Sequence, residues 1–250
     1  MRDSELKLPA KLLPRIGGMA TMPSRLESLR IALPYIVAQV DTLYLYLDKY
    51  EEVPQELSAM PKVVALLPEN PASSLATAGK FHGLSLQPGP CLYFCFDDDI
   101  IYGDGYVDHL AAALHRHDYR PVVGMHGAVY KVPIASYVKD RQLLHFSKAL
   151  SFDVVVDELG TGTIAFHSSA IRIEPDGWLN PNMADLQLMI DAVRQKTQRI
   201  CIRRPSGLLE PIAENQPDSL YRRCLVDDLA ETQLLRAAMK HYPGSWCMSS

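Results

Sequence analysis

Apolar runs of strand length alternate along this chain with stretches that are apolar on one side only. "RIGGMA" predicts a first strand, and "SRLESLRIALPYIVAQV" predicts a helix opened by Ser24 and interrupted at Pro34. "TLYLYLD" and "KVVALL" predict the second and third strands. "CLYFCF" predicts a fourth, and its unbroken apolar character suits a central strand covered on both faces. "GYVDHLAAALHRH" reads as a helix, "PVVGMHG" as a strand, and "FDVVVDELGTGTIAFH" as two strands around a Gly-Thr-Gly turn. In "MADLQLMIDAVRQKT" the residues Met183, Leu186, Met189, Ile190 and Val193 make the apolar face of a helix. "RICIRR" predicts a late strand, and "CLVDDLAETQLLRAAMKHY" a terminal helix. This alternation predicts an α/β fold with a mostly parallel central sheet flanked by helices. Such sheets bind ligands at the carboxyl ends of their strands.

One strand end breaks the pattern. In "YFCFDDDIIYG" the apolar fourth strand runs into Asp97, Asp98 and Asp99, and the chain turns apolar again at Ile100 and Ile101. Side chains alternate faces along a strand, so Asp97 and Asp99 point the same way and Asp98 points elsewhere. Clustered carboxylates at a strand end suit a hard divalent cation, whose charge offsets their repulsion and bridges to substrate phosphates. The plainer reading is a solvated acidic turn. The apolar residues on both sides argue against it.

Composition narrows the function. At 48% hydrophobic residues the chain can bury a sizeable core, and a net charge of -4 argues against binding dominated by nucleic-acid phosphates. No apolar run approaches the ~20 residues needed to cross a bilayer. The opening "MRDSELKLPAKLLPRIGG" lacks the apolar segment of a signal peptide, which predicts a cytoplasmic protein. Leu12 and Leu13 with Lys7, Lys11 and Arg15 form a short pattern for peripheral contact with the inner membrane face. The cysteines 91, 95, 201, 224 and 247 are an odd set without metal-finger spacing, as expected of free thiols in a reducing compartment.

The segment "YFCFDDDIIYGDGYVDHL" resembles the metal-binding segment of GT-A fold glycosyltransferases, especially bacterial enzymes of the family-2-like type. Four other places extend the resemblance: "GMATMPSRLESL", "LYLYLDKY", "AGKF", and "LGTGTIAFH" followed by "NMADLQLMIDAVRQKTQRICIRR". It spans about residues 15 to 210. The ordered set is more specific than the acidic motif alone. Two departures stand out: "YGDGYV" follows the aspartates where such enzymes more often carry a proline, and "ATAGKF" lacks an acidic residue before the Gly-Lys. The resemblance implies a GT-A (nucleotide-diphospho-sugar transferase) fold. It divides the chain into an N-terminal extension over 1–14, a catalytic domain over 15–210, and a C-terminal helical tail over 211–250 packing on that domain. It also implies a metal-dependent, inverting transfer of a sugar from a UDP- or GDP-sugar to a glycan or lipid-linked hydroxyl, in bacterial surface glycan synthesis, with Mn²⁺ or Mg²⁺ as cofactor.

Site residues follow from the matched segments, each with a plainer alternative. Asp99 and Asp97 would hold the metal, and Asp98 would meet the nucleotide ribose. Thr21 and Arg25 would lie near the nucleotide, or else cap a turn and decorate a helix surface. Asp48 would accept from the nucleobase, or be an ordinary turn residue. Lys80 would pair with a phosphate as a point charge, or be solvated. Asp185 would act as general base on the acceptor hydroxyl; alternatively it is a helix-start carboxylate favoured by the dipole. Gly160 and Gly162 would let the backbone approach a sugar, or simply make a turn. His241 would complete the metal shell, or be a surface residue. Arg203, with Arg204, would meet the diphosphate, or be a solvated pair. His126 and His167 are structural or acceptor-side.

Two other functions share these features. A sugar-1-phosphate nucleotidyltransferase has a similar fold, and "GGMATMPSR" faintly resembles its first loop. A non-catalytic carbohydrate or assembly module on a GT-A scaffold is the alternative from a different class. The intact aspartates and Asp185 speak against that one.

Overall fold

Strand β4 (Leu92–Phe96) divides the interior of the protein in two. Leu92, Phe94 and Phe96 enter one core, and Tyr93 and Cys95 enter another, as the two-residue period of a strand requires. A strand with both faces buried can be apolar throughout. A computed structural model describes residues 13–70, 73–212 and 220–242. Lys7, Lys11, Leu12 and Cys247 lie outside the described residues, as does the 1–12 part of the expected extension.

On one side of β4 lie β1 (Arg15–Thr21), β2 (Thr42–Leu47) and β3 (Val63–Leu66), all parallel to it. Between them come α1 (Leu26–Val37) and the short α2 (Gln55–Ser58). After β4 the chain forms β5 (Ile100–Tyr102), α3 (Tyr106–Arg116), β6 (Val122–Gly124), β7 (Gly127–Tyr130) and β8 (Arg141–Leu144). It continues through β9 (Val154–Val155), β10 (Glu158–Leu159), β11 (Ile164–His167), α4 (Ala184–Arg194), β12 (Arg199–Cys201) and β13 (Leu209–Pro211). Two helices follow, α5 (Leu220–Val226) and α6 (Leu229–His241). Eight strands form the main sheet in the order β3-β2-β1-β4-β11-β6-β12-β9.

Helices flank both faces of this sheet. Leu29, Leu33 and Ile36 of α1 and Val107, Leu110 and Leu114 of α3 pack into the core that holds Phe94. Leu188 and Ala192 of α4 and Phe81 pack into the core that holds Tyr93. Leu235 of α6 packs against Leu186 and Met189 of α4.

The expected α/β fold is present, with a main sheet that is mixed rather than mostly parallel. Four of its pairings are parallel, but β11 runs against both β4 and β6, and β9 runs against β12. The 3-10 turn Thr161–Thr163 leads into β11 from β10, a strand of a separate three-stranded sheet. The two strands around Gly-Thr-Gly are real but do not pair with each other: β10 pairs with β7 instead. Ser24 lies in a 3-10 turn (Pro23–Arg25), so it does not open α1, whose N-cap Arg25 makes no side-chain cap. The terminal helix is broken at Asp227–Asp228 into α5 and α6. Pro34 lies inside α1 without ending it.

The chain moves from β1 outward to β2 and β3, then returns to place β4 on the other side of β1. That reversal opens a crevice at the carboxyl ends of β1 and β4, where open α/β sheets bind ligands. The three aspartates stand at this edge.

Candidate active site

Each aspartate after β4 meets a different neighbour. The Thr21 hydroxyl, at the end of β1, donates to Asp98 Oδ2 at 2.5 Å. Arg25 Nη1 lies 3.2 Å from Asp99 Oδ2. Lys80 Nζ lies 2.5 Å from Asp97 Oδ1 and 3.4 Å from the Thr161 hydroxyl. Asp98 is buried against Thr21, whereas the side chains of Asp97 and Asp99 stay 40% and 33% exposed. The outcome is the expected one, two open and one buried, but strand alternation does not produce it: β4 ends at Phe96, and Asp98 and Asp99 lie in the turn that follows.

Burial pushes Asp98 up to about 7 despite the Thr21 hydrogen bond. Burial first, and the Asp97 charge second, push Asp99 up to about 6. Burial works to lower the Lys80 ammonium, but Asp97 outweighs it and the net shift is upward. Among the described residues, Arg25 pairs with Asp99 and Lys80 with Asp97, two cations against the four carboxylates Asp97, Asp98, Asp99 and Asp185.

Packing explains how a lysine comes to lie here. A 3-10 stretch, Ala76–Leu86, carries Lys80 across the middle of β1. A Cβ on Gly18 would stand 2.0 Å from the Lys80 carbonyl, so only glycine lets this segment lie on the strand. Asp48, just past β2, is buried; its N–H donates to the Thr21 carbonyl at 2.8 Å and its carboxylate accepts from the Ser74 hydroxyl. Thr21, Arg25, Asp48, Lys80 and the aspartates all line one cleft of about 660 Å³.

The turn before β11 joins this cluster to α4. Gly162 lies so close to Asp97 that a Cβ there would stand 1.8 Å from Asp97 Oδ2. The Tyr102 hydroxyl accepts the Asp97 N–H at 2.7 Å and donates to the Gly162 carbonyl at 2.6 Å. Thr161 donates twice to Asp185 Oδ1, from its N–H at 2.8 Å and its hydroxyl at 2.6 Å. Asp185 stands in the first turn of α4, as expected, and lines the cleft with one oxygen fixed by Thr161. Gly160 lines the cleft beside the His126 ring.

Beyond Asp185 the cleft continues over a buried polar network. Glu158 accepts from the hydroxyls of Tyr130 and Tyr137 at 2.9 and 2.8 Å, and Arg141 Nη1 lies 3.3 Å away. Burial pushes Glu158 up to about 7. Burial pushes the His126 imidazole down to about 3, so it is neutral at physiological pH.

Five expected residues do not line the cleft, and Gly162, packed against Asp97, is one of them. His241 is exposed at the last turn of α6, its ring against Tyr242, and does not line the cleft. Arg203 is also exposed and outside the lining, with its N–H donated to Asp153. Arg204 is buried, and its guanidinium is occupied by the carbonyls of Leu144, His145 and Ile202. His167 pairs with Leu92 at the opposite edge of the sheet, because β11 runs antiparallel to β4. The pattern of the chain missed Ser74, Tyr102, Arg141, Glu158 and Thr161. Glu158 carried a signal: a charge inside "VVVDELG" has to find a buried partner.

Among the described residues no three His, Cys, Asp or Glu side chains converge as a ready-made metal cage. The open carboxylates of Asp97 and Asp99 suit a cation of the Mg²⁺ kind, which takes one or two carboxylates and completes its shell with water and substrate phosphates. The unbalanced negative charge points the same way. No protein-family model matches the chain, and no curated protein matches it.

Proposed function

We propose that the protein is a metal-dependent glycosyltransferase of the GT-A kind, transferring a sugar from a UDP- or GDP-sugar to a glycan or lipid-linked hydroxyl with inversion. The observation that carries this reading is the pairing of two open carboxylates, Asp97 and Asp99, with a separately anchored third, Asp185, in one cleft. The crevice between β1 and β4 supports the GT-A assignment.

Asp97 and Asp99 are the residues that would hold Mn²⁺ or Mg²⁺. When bound, the cation supplies positive charge to a departing diphosphate. Without added positive charge, a diphosphate would enter a cleft with more carboxylates than cations. Arg25 and Lys80 keep the aspartates oriented and lend their own charge to the same end. Asp48, held by the Ser74 hydroxyl, lines the cleft with Thr21 and is suited to hydrogen-bonding the base. Asp185 keeps Oδ1 on Thr161 and has Oδ2 to take the proton of an acceptor hydroxyl. Holding both substrates in one cleft supplies orientation as well.

Calorimetry of UDP and GDP with Mn²⁺, with Mg²⁺ and with a chelator tests this reading. Nucleotide should bind more tightly with metal, and Asp99→Ala should abolish the difference without unfolding the protein. Equal affinity with and without metal would remove the aspartates from this role. Pyrophosphate release from a nucleoside triphosphate and a sugar 1-phosphate would favour the nucleotidyltransferase instead.

A further inference from the structure

The cleft beyond Asp185 holds a charged group that the proposed transfer does not use. Arg141, on β8, lines the cleft with its side chain only 10% exposed. A guanidinium carries five N–H donors in a rigid fork. Its Nη1 makes a long 3.3 Å contact to Glu158 Oε1, and the Tyr130 hydroxyl stands beside it. Those two neighbours leave donors of the fork for the cleft. The Tyr137 ring lies 4.8 Å from the guanidinium carbon and supports its face. Glu158 also accepts from Tyr130 and Tyr137, which fix it in place, so this arginine is held from behind and from one side.

A guanidinium 10% exposed at the wall of a cleft gains from an acceptor that reaches it there. Parallel N–H groups match the paired oxygens of a carboxylate or phosphate. Because burial pushes Glu158 up to about 7, at neutral pH it only partly balances Arg141. Asp185 and Glu231 also line this end, and their charges favour hydroxyls rather than a second anion beside them. We infer that Arg141 is the specificity residue of an acceptor subsite and that the acceptor is an acidic sugar, its carboxylate or phosphate on Arg141 and a hydroxyl toward Asp185. The word acceptor rests on the proposed transfer; oxyanion binding at Arg141 does not.

Saturation-transfer NMR on the full chain, with and without UDP and Mn²⁺, tests this with glucose, glucuronate and glucose 6-phosphate as probes. At least one acid should bind about tenfold more tightly than glucose. Preference for glucuronate identifies a carboxylate, and preference for glucose 6-phosphate a phosphate. Arg141→Lys keeps the charge but loses the fork, and should cut the preference to about threefold. Arg141→Met combined with Glu158→Gln removes both charges of the buried pair together, which avoids stranding a carboxylate, and should abolish the preference. Glucose binding as tightly as both acids, or an acid preference surviving in the double variant, overturns the inference. An intact acid preference in a protein that binds no UDP would count against the transferase reading and not against Arg141.

Discussion

The Tyr102 hydroxyl bridges Asp97 and Gly162, accepting the N–H of one at 2.7 Å and donating to the carbonyl of the other at 2.6 Å. Tyr102 is fully buried, with its ring edge-on to Phe96. One side chain therefore ties the acidic strand end to the turn that carries Thr161 and, through it, Asp185. Tyr102→Phe keeps the ring and strands both backbone groups. Denaturant unfolding should show a loss of about 1–3 kcal/mol. Metal-dependent nucleotide affinity should fall as well, since Asp97 loses its backbone anchor.

Glycine at 162 is required by proximity to Asp97, where a Cβ would stand 1.8 Å from a carboxylate oxygen. Gly162→Ala should force Asp97 or the turn to move, costing about 1–3 kcal/mol and weakening nucleotide binding with metal. Gly160→Ala is the control. Its Cβ would stand 3.1 Å from the His126 ring, which asks for a smaller shift. Parallel thermal melts and calorimetry should rank the two, with Gly162→Ala the worse in both.

Asp185→Asn preserves an oxygen for the two Thr161 hydrogen bonds. It should leave melting temperature and nucleotide-sugar affinity close to wild type while lowering turnover about 10²–10⁴-fold. Product analysis supplies a second check, because inversion turns an α-linked donor into a β-glycoside. Near-wild-type turnover, or retention of the donor's configuration, would take Asp185 out of the base role.

Glu158 makes stability depend on pH. Its pKa in the folded protein is pushed up to about 7 by burial, above the ordinary carboxyl value of 4.5. Between these values the unfolded chain gives up a proton that the folded protein retains. The contribution is therefore full below about 4.5 and is lost as pH rises through about 7. The slope from this one group is at most ~1.4 kcal/mol per pH unit. Glu158→Gln should flatten the stability profile between pH 5 and 8, measured by urea unfolding at each pH. An unchanged profile would show that Glu158 does not titrate in that range.

Much of the cleft was legible along the chain because it is built from local features. An unbroken apolar run ending in charges identifies β4 and its aspartates, since a strand covered on both faces has no polar alternation to confuse it. Asp185 was legible for the same reason: α4 begins where the 3.6-residue periodicity begins. The split of Asp97 and Asp99 from Asp98 was expected from strand alternation, but the turn after β4 and the Thr21 hydroxyl produce it.

What only the tertiary structure decided is who meets whom. The direction of β11 is set against β4 and β6, strands far earlier in the chain, and two strands around a glycine turn read the same whether they pair with each other or not. Lys80 on Asp97, Arg25 on Asp99 and Thr161 on Asp185 are contacts between segments far apart in the chain, set by how the 3-10 stretch and the turn pack on β1 and β4. His241 and Arg203 carried suitable chemistry but sit where packing leaves them in solvent. Periodicity reports which face of an element is buried, because burial acts on each residue where it stands. It says nothing of which distant side chain shares that space, and in this protein the partners of its buried charges, Arg141 and Glu158 among them, were settled by the packing of the folded chain.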